Sequence, residues 1–80
     1  MDVNSLIEMA NQIGEFFDSM PDRDEALDGI ADHIRRFWAP RMRLPLVQAL
    51  DDPGLRASLV PIVVEALEKH REGLMPAVTV

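Results

Sequence analysis

The chain has 80 residues, of which 48% are hydrophobic and 28% charged, and its formal net charge is −6. These values are typical of one small folded domain and exclude a disordered chain. The absence of cysteine excludes disulfides, thiolate metal sites and a cysteine nucleophile. No apolar run approaches the roughly 18 residues that cross a bilayer, and the N-terminus carries no basic and apolar leader. We therefore expect a cytoplasmic protein without a membrane segment.

Hydrophobic spacing predicts an all-α fold that begins with a small antiparallel helical hairpin. Ser5 and Glu8 have the spacing of a capping box, and the apolar residues that follow recur every three or four positions. Asp22 and Glu25 repeat the capping signature before a second amphipathic stretch. A short link between two such helices favours antiparallel pairing. The two predicted helices cover about residues 5–19 and 23–38.

One or two further helices are expected after the hairpin. Pro40 can open a helix at its first position, but Pro45 removes an amide that an interior turn uses, so this helix either starts nearer Leu44 or bends at Pro45. Residues 51–54 have the composition of a turn, and Ser58 is a candidate cap for the last helix. These helices are predicted over about residues 41–51 and 59–71, with an apolar tail over 74–80, all in a single domain spanning 1–80.

Charge is unevenly distributed along the sequence. Residues 1–32 hold nine acidic side chains against one arginine, and residues 51–80 hold five against three basic ones. Residues 33–50, in contrast, contain four arginines and no acid. The chain is therefore acidic at both ends with a basic middle.

Constellations for catalysis are scarce. A helical metal site needs a second ligand three or four residues from the first, and neither His33 nor His70 has one at those offsets. The four glycines are scattered, so no phosphate-binding loop exists, and the three serines are explained as helix-end residues. We therefore predict that the chain is not an enzyme by itself and holds no metal, flavin or other cofactor.

Three positions on the helices have both a structural and a functional interpretation. His33 lies at the edge of the second apolar stripe, where it is either partly buried and bonded to a backbone carbonyl or part of an interface. Gly14 destabilises a helix by about 1 kcal/mol relative to alanine. Close approach of another helix, within the hairpin or from a partner, is the simplest compensation. Asp32 and Arg36 are four residues apart and predict a surface ion pair.

The densest cluster of arginine and aromatic residues runs from Arg35 to Arg43. Part of it suits a structural role, because arginines in a last helical turn complement the helix dipole. Arginine beside aromatics also suits single-stranded nucleic acid, but the net negative charge argues against phosphate binding. A protein interface, in which Trp, Arg and Met are enriched, is the remaining interpretation. We expect Trp38 to be its anchor, with a large apolar face left in water. The predicted interface consists of His33, Arg35, Arg36, Phe37, Trp38, Pro40, Arg41 and Met42.

Several short words in this order resemble the delta subunit family of soluble NAD-dependent formate dehydrogenases. They are the sequence MANQIG over 9–14, Phe16-Phe17, Gly29-Ile30, HIRRFW over 33–38 and PRM over 40–42. The resemblance is dense from about Met9 to Met42.

The resemblance implies a small non-catalytic subunit of a cytoplasmic complex. In that family the alpha subunit holds a molybdenum or tungsten bis-pterin guanine dinucleotide and iron-sulfur clusters, and the beta and gamma subunits carry FMN, NAD and further clusters. The leading hypothesis is therefore an all-α accessory subunit that docks on alpha and supports assembly or stability. The alternative is a free-standing acidic adaptor or regulatory module that binds basic proteins or nucleic acid.

Overall fold

This computed structural model describes residues 2–75 of the chain. Within these residues the fold consists of six α-helices and contains no strand. A single turn of 3-10 helix, Ala49–Asp51, follows the third helix. The all-α prediction is confirmed. The helices are α1 Val3–Asp18, α2 Arg23–Phe37, α3 Pro40–Gln48, α4 Pro53–Ser58, α5 Pro61–Lys69 and α6 Arg71–Leu74.

The two N-terminal helices begin at different kinds of cap. Asp22 caps α2 as predicted, because its side chain accepts a hydrogen bond of 3.1 Å from the Glu25 N–H. Ser5, in contrast, does not start α1. The helix begins at Val3, and the extended backbone of Asp2 accepts hydrogen bonds from the Ser5 and Leu6 N–H groups. Ser5 therefore lies within the first turn of α1 and caps nothing.

Proline residues divide the C-terminal half into shorter helices than the sequence pattern suggests. Pro40, Pro53 and Pro61 each stand in the first turn of a helix, where the missing N–H has no helical partner in any case. Pro45 lies inside α3, which continues through it to Gln48 at the loss of one backbone hydrogen bond. The predicted apolar tail covers residues 74–80, and its residues 76–80 lie outside the described part of the chain.

The segment predicted as a turn over residues 51–54 contains the end of the 3-10 turn at Asp51, the N-cap Asp52 and the first two residues of α4. The Asp52 side chain accepts hydrogen bonds from the Gly54 and Leu55 N–H groups at 3.0 and 3.2 Å, which is the geometry of a helix N-cap. Ser58 ends this helix, and α5 begins at Pro61 with Val60 as its cap. The predicted cap at Ser58 is therefore wrong.

The hydrophobic core is formed where α2 packs against both α1 and α5, which also contact each other. Leu74 of α6 closes one end of this core and is buried. Burial of these aliphatic side chains is the main term that stabilises the fold. The core consists of Leu6, Ile7, Ala10, Ala26, Leu27, Ile30, Ala31, Ile34, Trp38, Leu46, Val47, Ala49, Leu50, Leu59, Ile62, Val63, Ala66, Leu67 and Leu74.

Gly14 allows α1 to lie directly against α5. A Cβ atom added at Gly14 would be 2.5 Å from the Val63 Cγ2 and 3.2 Å from the Ile62 Cγ2. A side chain at this position would therefore clash with α5, and only glycine allows the two helices to approach this closely. Sequence analysis predicted such a close approach, within the hairpin or from a partner. The structure places it inside the chain, against α5 and not against α2.

One side chain of α1 holds the link between α4 and α5. The Asn11 Nδ2 donates to the Ser58 carbonyl at 2.9 Å, and the Asn11 Oδ1 accepts from the Val60 N–H at 2.9 Å. The Asn11 amide therefore pairs with the Ser58 carbonyl and the Val60 N–H, two backbone groups for which neither α4 nor α5 provides a partner. We call this arrangement the Asn11 clamp.

Ion pairs on the surface connect α2 to the C-terminal helices. Asp28 is 2.7 Å from the His70 Nε2 and 3.0 Å from the Lys69 Nζ. Hydrogen bonds from His70 and Lys69 lower the pKa of Asp28, and the hydrogen bond to Asp28 raises the pKa of Lys69. Asp51 pairs with Arg71 at 2.5 Å, and this hydrogen bond lowers the pKa of the Asp51 carboxyl.

Candidate protein-docking surface

The predicted interface residues do not share one environment in the structure. Arg35, Arg36, Phe37, Pro40 and Arg41 are exposed, whereas His33 and Met42 are half-buried and Trp38 is buried. We call residues 35–42 the corner segment, because they join the end of α2 to the start of α3.

Trp38 does not leave an apolar face in water, so the expectation that it stands exposed at the corner is wrong. Its side chain is only 6% exposed and belongs to the same core cluster as Ile34 and Leu46. The physical reason lies in the backbone. Trp38 is the extended C-cap of α2, and its N–H donates to the Ile34 carbonyl at 2.9 Å, so the chain reverses there and returns the indole to the core.

Phe37, the neighbour of Trp38, is the exposed aromatic of the corner segment. Its side chain is 71% exposed, and its ring lies 4.9 Å from the His33 ring in a tilted arrangement. His33 is partly buried, as predicted, but it packs on Phe37 and, among residues 2–75, makes no hydrogen bond to a backbone carbonyl. The surface of the corner is therefore formed by the two rings in tilted contact and the arginines near them in the sequence.

Helix α1 presents a second exposed aromatic, Phe16, which is 73% exposed and makes an edge contact with Phe17 at 5.2 Å between ring centroids. Phe16, Met9 and Ile13 are among the apolar residues that recur every three or four positions along α1. Only the side of α1 that carries Leu6, Ala10 and Gly14 is buried in the core. Met9 and Ile13 are half-buried. The apolar stripe of α1 is therefore wider than α2 and α5 cover.

An open groove lies between α1 and the end of α2, with a cavity volume of about 510 Å³. Most of its lining is apolar or aromatic, and Gln12 is the polar exception that belongs to α1. Trp38 contributes to the lining although only 6% of its side chain is exposed. We call this feature the apolar groove; it is lined by Met9, Gln12, Ile13, Phe16, Phe17, His33 and Trp38.

The arginines near the groove fall into two pairs. Arg35 and Arg36 both contact Asp32, at 3.2 and 3.1 Å, so the predicted pair of Asp32 and Arg36 is confirmed. Arg41 and Arg43 make no ion pair with any acidic residue in the described part of the chain, and the Arg43 Nε is buried without a hydrogen-bond partner there. Basic charge that is not neutralised within residues 2–75 is thus concentrated at the start of α3.

The arrangement is suited to protein contact and offers little for chemistry. Within residues 2–75 no three His, Cys, Asp or Glu side chains come together as a metal-binding group. A second cavity, of about 430 Å³, is lined by Asp28, Asp32, Arg35 and His70 among others, and the acids there already pair with basic side chains. None of the helices described is long and apolar enough to cross a membrane.

Two of the short sequence motifs that carry the family resemblance, over residues 9–14 and at Gly29-Ile30, have a structural explanation. Asn11 and Gly14 are positions at which α1 meets the α4–α5 link or α5 itself, through the Asn11 clamp and close packing, and Ala10 is buried in the core. Gly29 has a similar role, since a Cβ there would be 2.5 Å from the Phe17 ring. Sequence reasoning missed the groove, although eight apolar residues on one 16-residue helix are more than one packing partner covers.

Comparison with known proteins addresses the family to which the chain belongs. No curated protein and no solved structure matches the chain. Residues 5–67 match the sequence profile of a family described as "NADH-dependant formate dehydrogenase delta subunit FdsD". This match extends beyond the dense resemblance over Met9 to Met42 and includes α3, α4 and most of α5. The chain therefore belongs to the delta subunit family of NADH-dependent formate dehydrogenase.

Proposed function

We propose that this chain is a non-catalytic accessory subunit that docks on the catalytic alpha subunit of a cytoplasmic formate dehydrogenase and supports its assembly or stability. The complex is expected to include beta and gamma subunits, as the family resemblance implies. The predicted partner is therefore a protein, and neither nucleic acid nor a membrane is needed.

The observation that carries this proposal is the apolar surface that the chain leaves uncovered. Two phenylalanines more than two-thirds exposed flank a groove of apolar side chains, on a molecule with an otherwise strongly charged surface. Scattered exposed apolar residues are normal, but a contiguous apolar patch with a polar rim marks an interaction site. Membership of a family of enzyme subunits identifies the kind of partner.

The corner segment supports docking in a different way from the one that the sequence suggested. Trp38 is enclosed, so Phe37 takes the place of the exposed anchor, and Trp38 remains one of the residues that line the groove. Arg35, Arg36, Pro40 and Arg41 remain exposed around it and are available to carboxylates or carbonyls of a partner. The predicted interface of residues 33 and 35–42 is kept as a proposal with this change of anchor.

Such a subunit acts on the enzyme through binding energy. A protein that binds only the folded and assembled form of its partner stabilises that form by mass action. The metal and flavin cofactors of the complex are expected in the other subunits, and the helices of this chain would contribute no group to the reaction. Removing the chain should therefore lower the amount of active complex more than it changes turnover at each assembled centre.

Expression of the complex with and without this chain tests the proposal. We expect a lower yield, cofactor content or thermal stability without it, with turnover per bound metal unchanged within about threefold. A hundredfold fall in turnover per metal at normal assembly would assign the chain a direct role in catalysis. Recovery of the chain as a monomer that never joins the complex would favour the free-standing acidic adaptor.

A further inference from the structure

We infer that the apolar groove receives one amphipathic helix of the catalytic subunit, whose carboxylate side chains lie against the arginines at the start of α3. This inference rests on the proposed function, since it takes the catalytic subunit as the partner. It adds the place of docking, the form of the bound segment and the sign of its charge.

The spacing of the uncovered residues on α1 suits a helix. Met9, Ile13 and Phe16 follow one another at intervals of four and three residues, so they form a continuous ridge along the outer side of α1. Helices pack by fitting such a ridge into the groove between the ridges of a neighbour. An amphipathic helix laid on this ridge would pack on α1 as α2 and α5 do on its other side.

The opposite wall of the groove is formed by α2 and its C-cap. His33 and Trp38 supply an aromatic surface, and Phe37 projects beside it with 71% of its side chain exposed. A second helix that filled the groove would contact α1 and α2 together and cover both exposed phenylalanines. Helix-in-groove recognition of this kind uses anchors spaced by three, four and seven residues.

Charge identifies what flanks the apolar face of the bound helix. Arg41 and Arg43 are the arginines without an acidic partner in residues 2–75, and both lie in the first turn of α3, a few residues beyond the groove wall at Trp38. No acidic residue occurs between positions 33 and 50. Partner carboxylates at this end would therefore meet positive charge that no acidic side chain of residues 2–75 pairs with.

A second copy of the chain fits this surface less well than an acidic helix. Self-association through the same face would place the two basic corners on one interface, where like charges repel. A catalytic-subunit helix with apolar anchors and acidic flanks would instead bring carboxylates to these arginines. We therefore assign the groove to the partner subunit.

The first test measures the affinity of purified variants for the catalytic subunit. Phe16→Gln and Phe37→Gln remove apolar side chains that are exposed in the free chain, so both variants should melt normally. Each should weaken binding by roughly tenfold or more, the loss expected when a buried aromatic anchor is removed. Gln48→Ala, at an exposed position on α3, is the matched control and should bind as the wild type does.

Two further variants and measurements address charge and the identity of the bound segment. Arg41→Glu should weaken binding by about tenfold or more and reduce its salt dependence. A benzophenone amino acid introduced at Gln12, inside the groove, should cross-link to one peptide of the catalytic subunit with apolar residues at helical spacing and nearby Asp or Glu.

The outcomes separate this inference from the proposed function. If Phe37→Gln weakens binding and Phe16→Gln does not, the corner segment docks while the groove stays empty, and only the inference fails. A cross-link from Gln12 to a second copy, with a dimer that Phe16→Gln abolishes, would assign the groove to self-association and overturn the inference. Failure of the wild-type chain to bind the catalytic subunit at all would refute the proposed function itself.

Discussion

The Asn11 clamp predicts that substitution of one half-buried side chain lowers the free energy of unfolding substantially. Asn11→Ala removes a donor to the Ser58 carbonyl and an acceptor for the Val60 N–H, both at 2.9 Å in the native structure. A hydrogen bond contributes about 0.5 to 1.5 kcal/mol net, so two of them predict a loss of roughly 1 to 3 kcal/mol. That is a substantial part of the total stability of about 4 to 12 kcal/mol expected for a chain of this length.

Urea unfolding followed by far-ultraviolet circular dichroism measures this loss directly. Thermal melting should show the same order of effects, with Tm lower by roughly 5 to 20 °C, because about 1 kcal/mol shifts Tm by 4 to 8 °C in a domain of this size. Gln12→Ala is the matched control. It removes the neighbouring exposed amide, which makes no hydrogen bond within residues 2–75, and should stay within about 0.5 kcal/mol of the wild type.

Asn11→Asp sharpens the same test because it keeps the shape of the side chain. The carboxylate can still accept from the Val60 N–H, but it faces the Ser58 carbonyl with an acceptor in place of a donor. We expect a loss at least as large as in Asn11→Ala near neutral pH. The loss should shrink relative to the wild type below the ordinary carboxyl pKa of about 3.9, where protonation restores a donor. If Asn11→Ala unfolds within about 0.5 kcal/mol of the wild type, the clamp does not hold the α4–α5 link.

Three other expectations follow from the core and its surface. Trp38→Ala should destabilise the free chain by about 3 to 5 kcal/mol, as removal of a buried aromatic does, and a variant that melts normally would show that the indole is not part of the core. Gly14→Ala should be less stable than Gly73→Ala by about 1 to 3 kcal/mol, because a Cβ at Gly73 meets nothing within 4 Å, and equal urea midpoints would contradict the close approach to α5. Asp28 and Asp51 have pKa values below the ordinary value of 3.8, so their ionised carboxylates stabilise the fold above about pH 4. This stabilisation should be lost as the pH falls through the lowered pKa values. Urea midpoints that stay constant across that pH range would refute the expectation.

The N-terminal hairpin could be predicted from the sequence because two independent local signals agree there. The periodicity of apolar residues defined two long helices, and Asp22 with Glu25 marked the start of the second. The sequence also carried a correct signal at Pro40, since that residue stands in the first turn of a helix. Pro53 has the same role, but the turn composition around Asp52 concealed it.

The candidate site was only partly predictable, because it depends on which of two adjacent aromatics the chain reversal buries. Phe37 and Trp38 are neighbours in a helix end, where a difference of one residue rotates a side chain by about 100°. Periodicity alone assigns both to the same stripe. The extended backbone at Trp38 turns the indole inward and leaves Phe37 outside, and this is a property of the junction with α3 that no local pattern encodes.

The unequal lengths of the helices bear on how the chain reaches its folded state. Helices α1 and α2 have 16 and 15 residues, whereas α3 and α5 have nine each and α4 has six. Isolated helices shorter than about 12 to 15 residues are marginal in water, so the later helices gain their stability from packing on the first two. The short C-terminal helices are therefore expected to form only together with the tertiary contacts that bury their apolar sides.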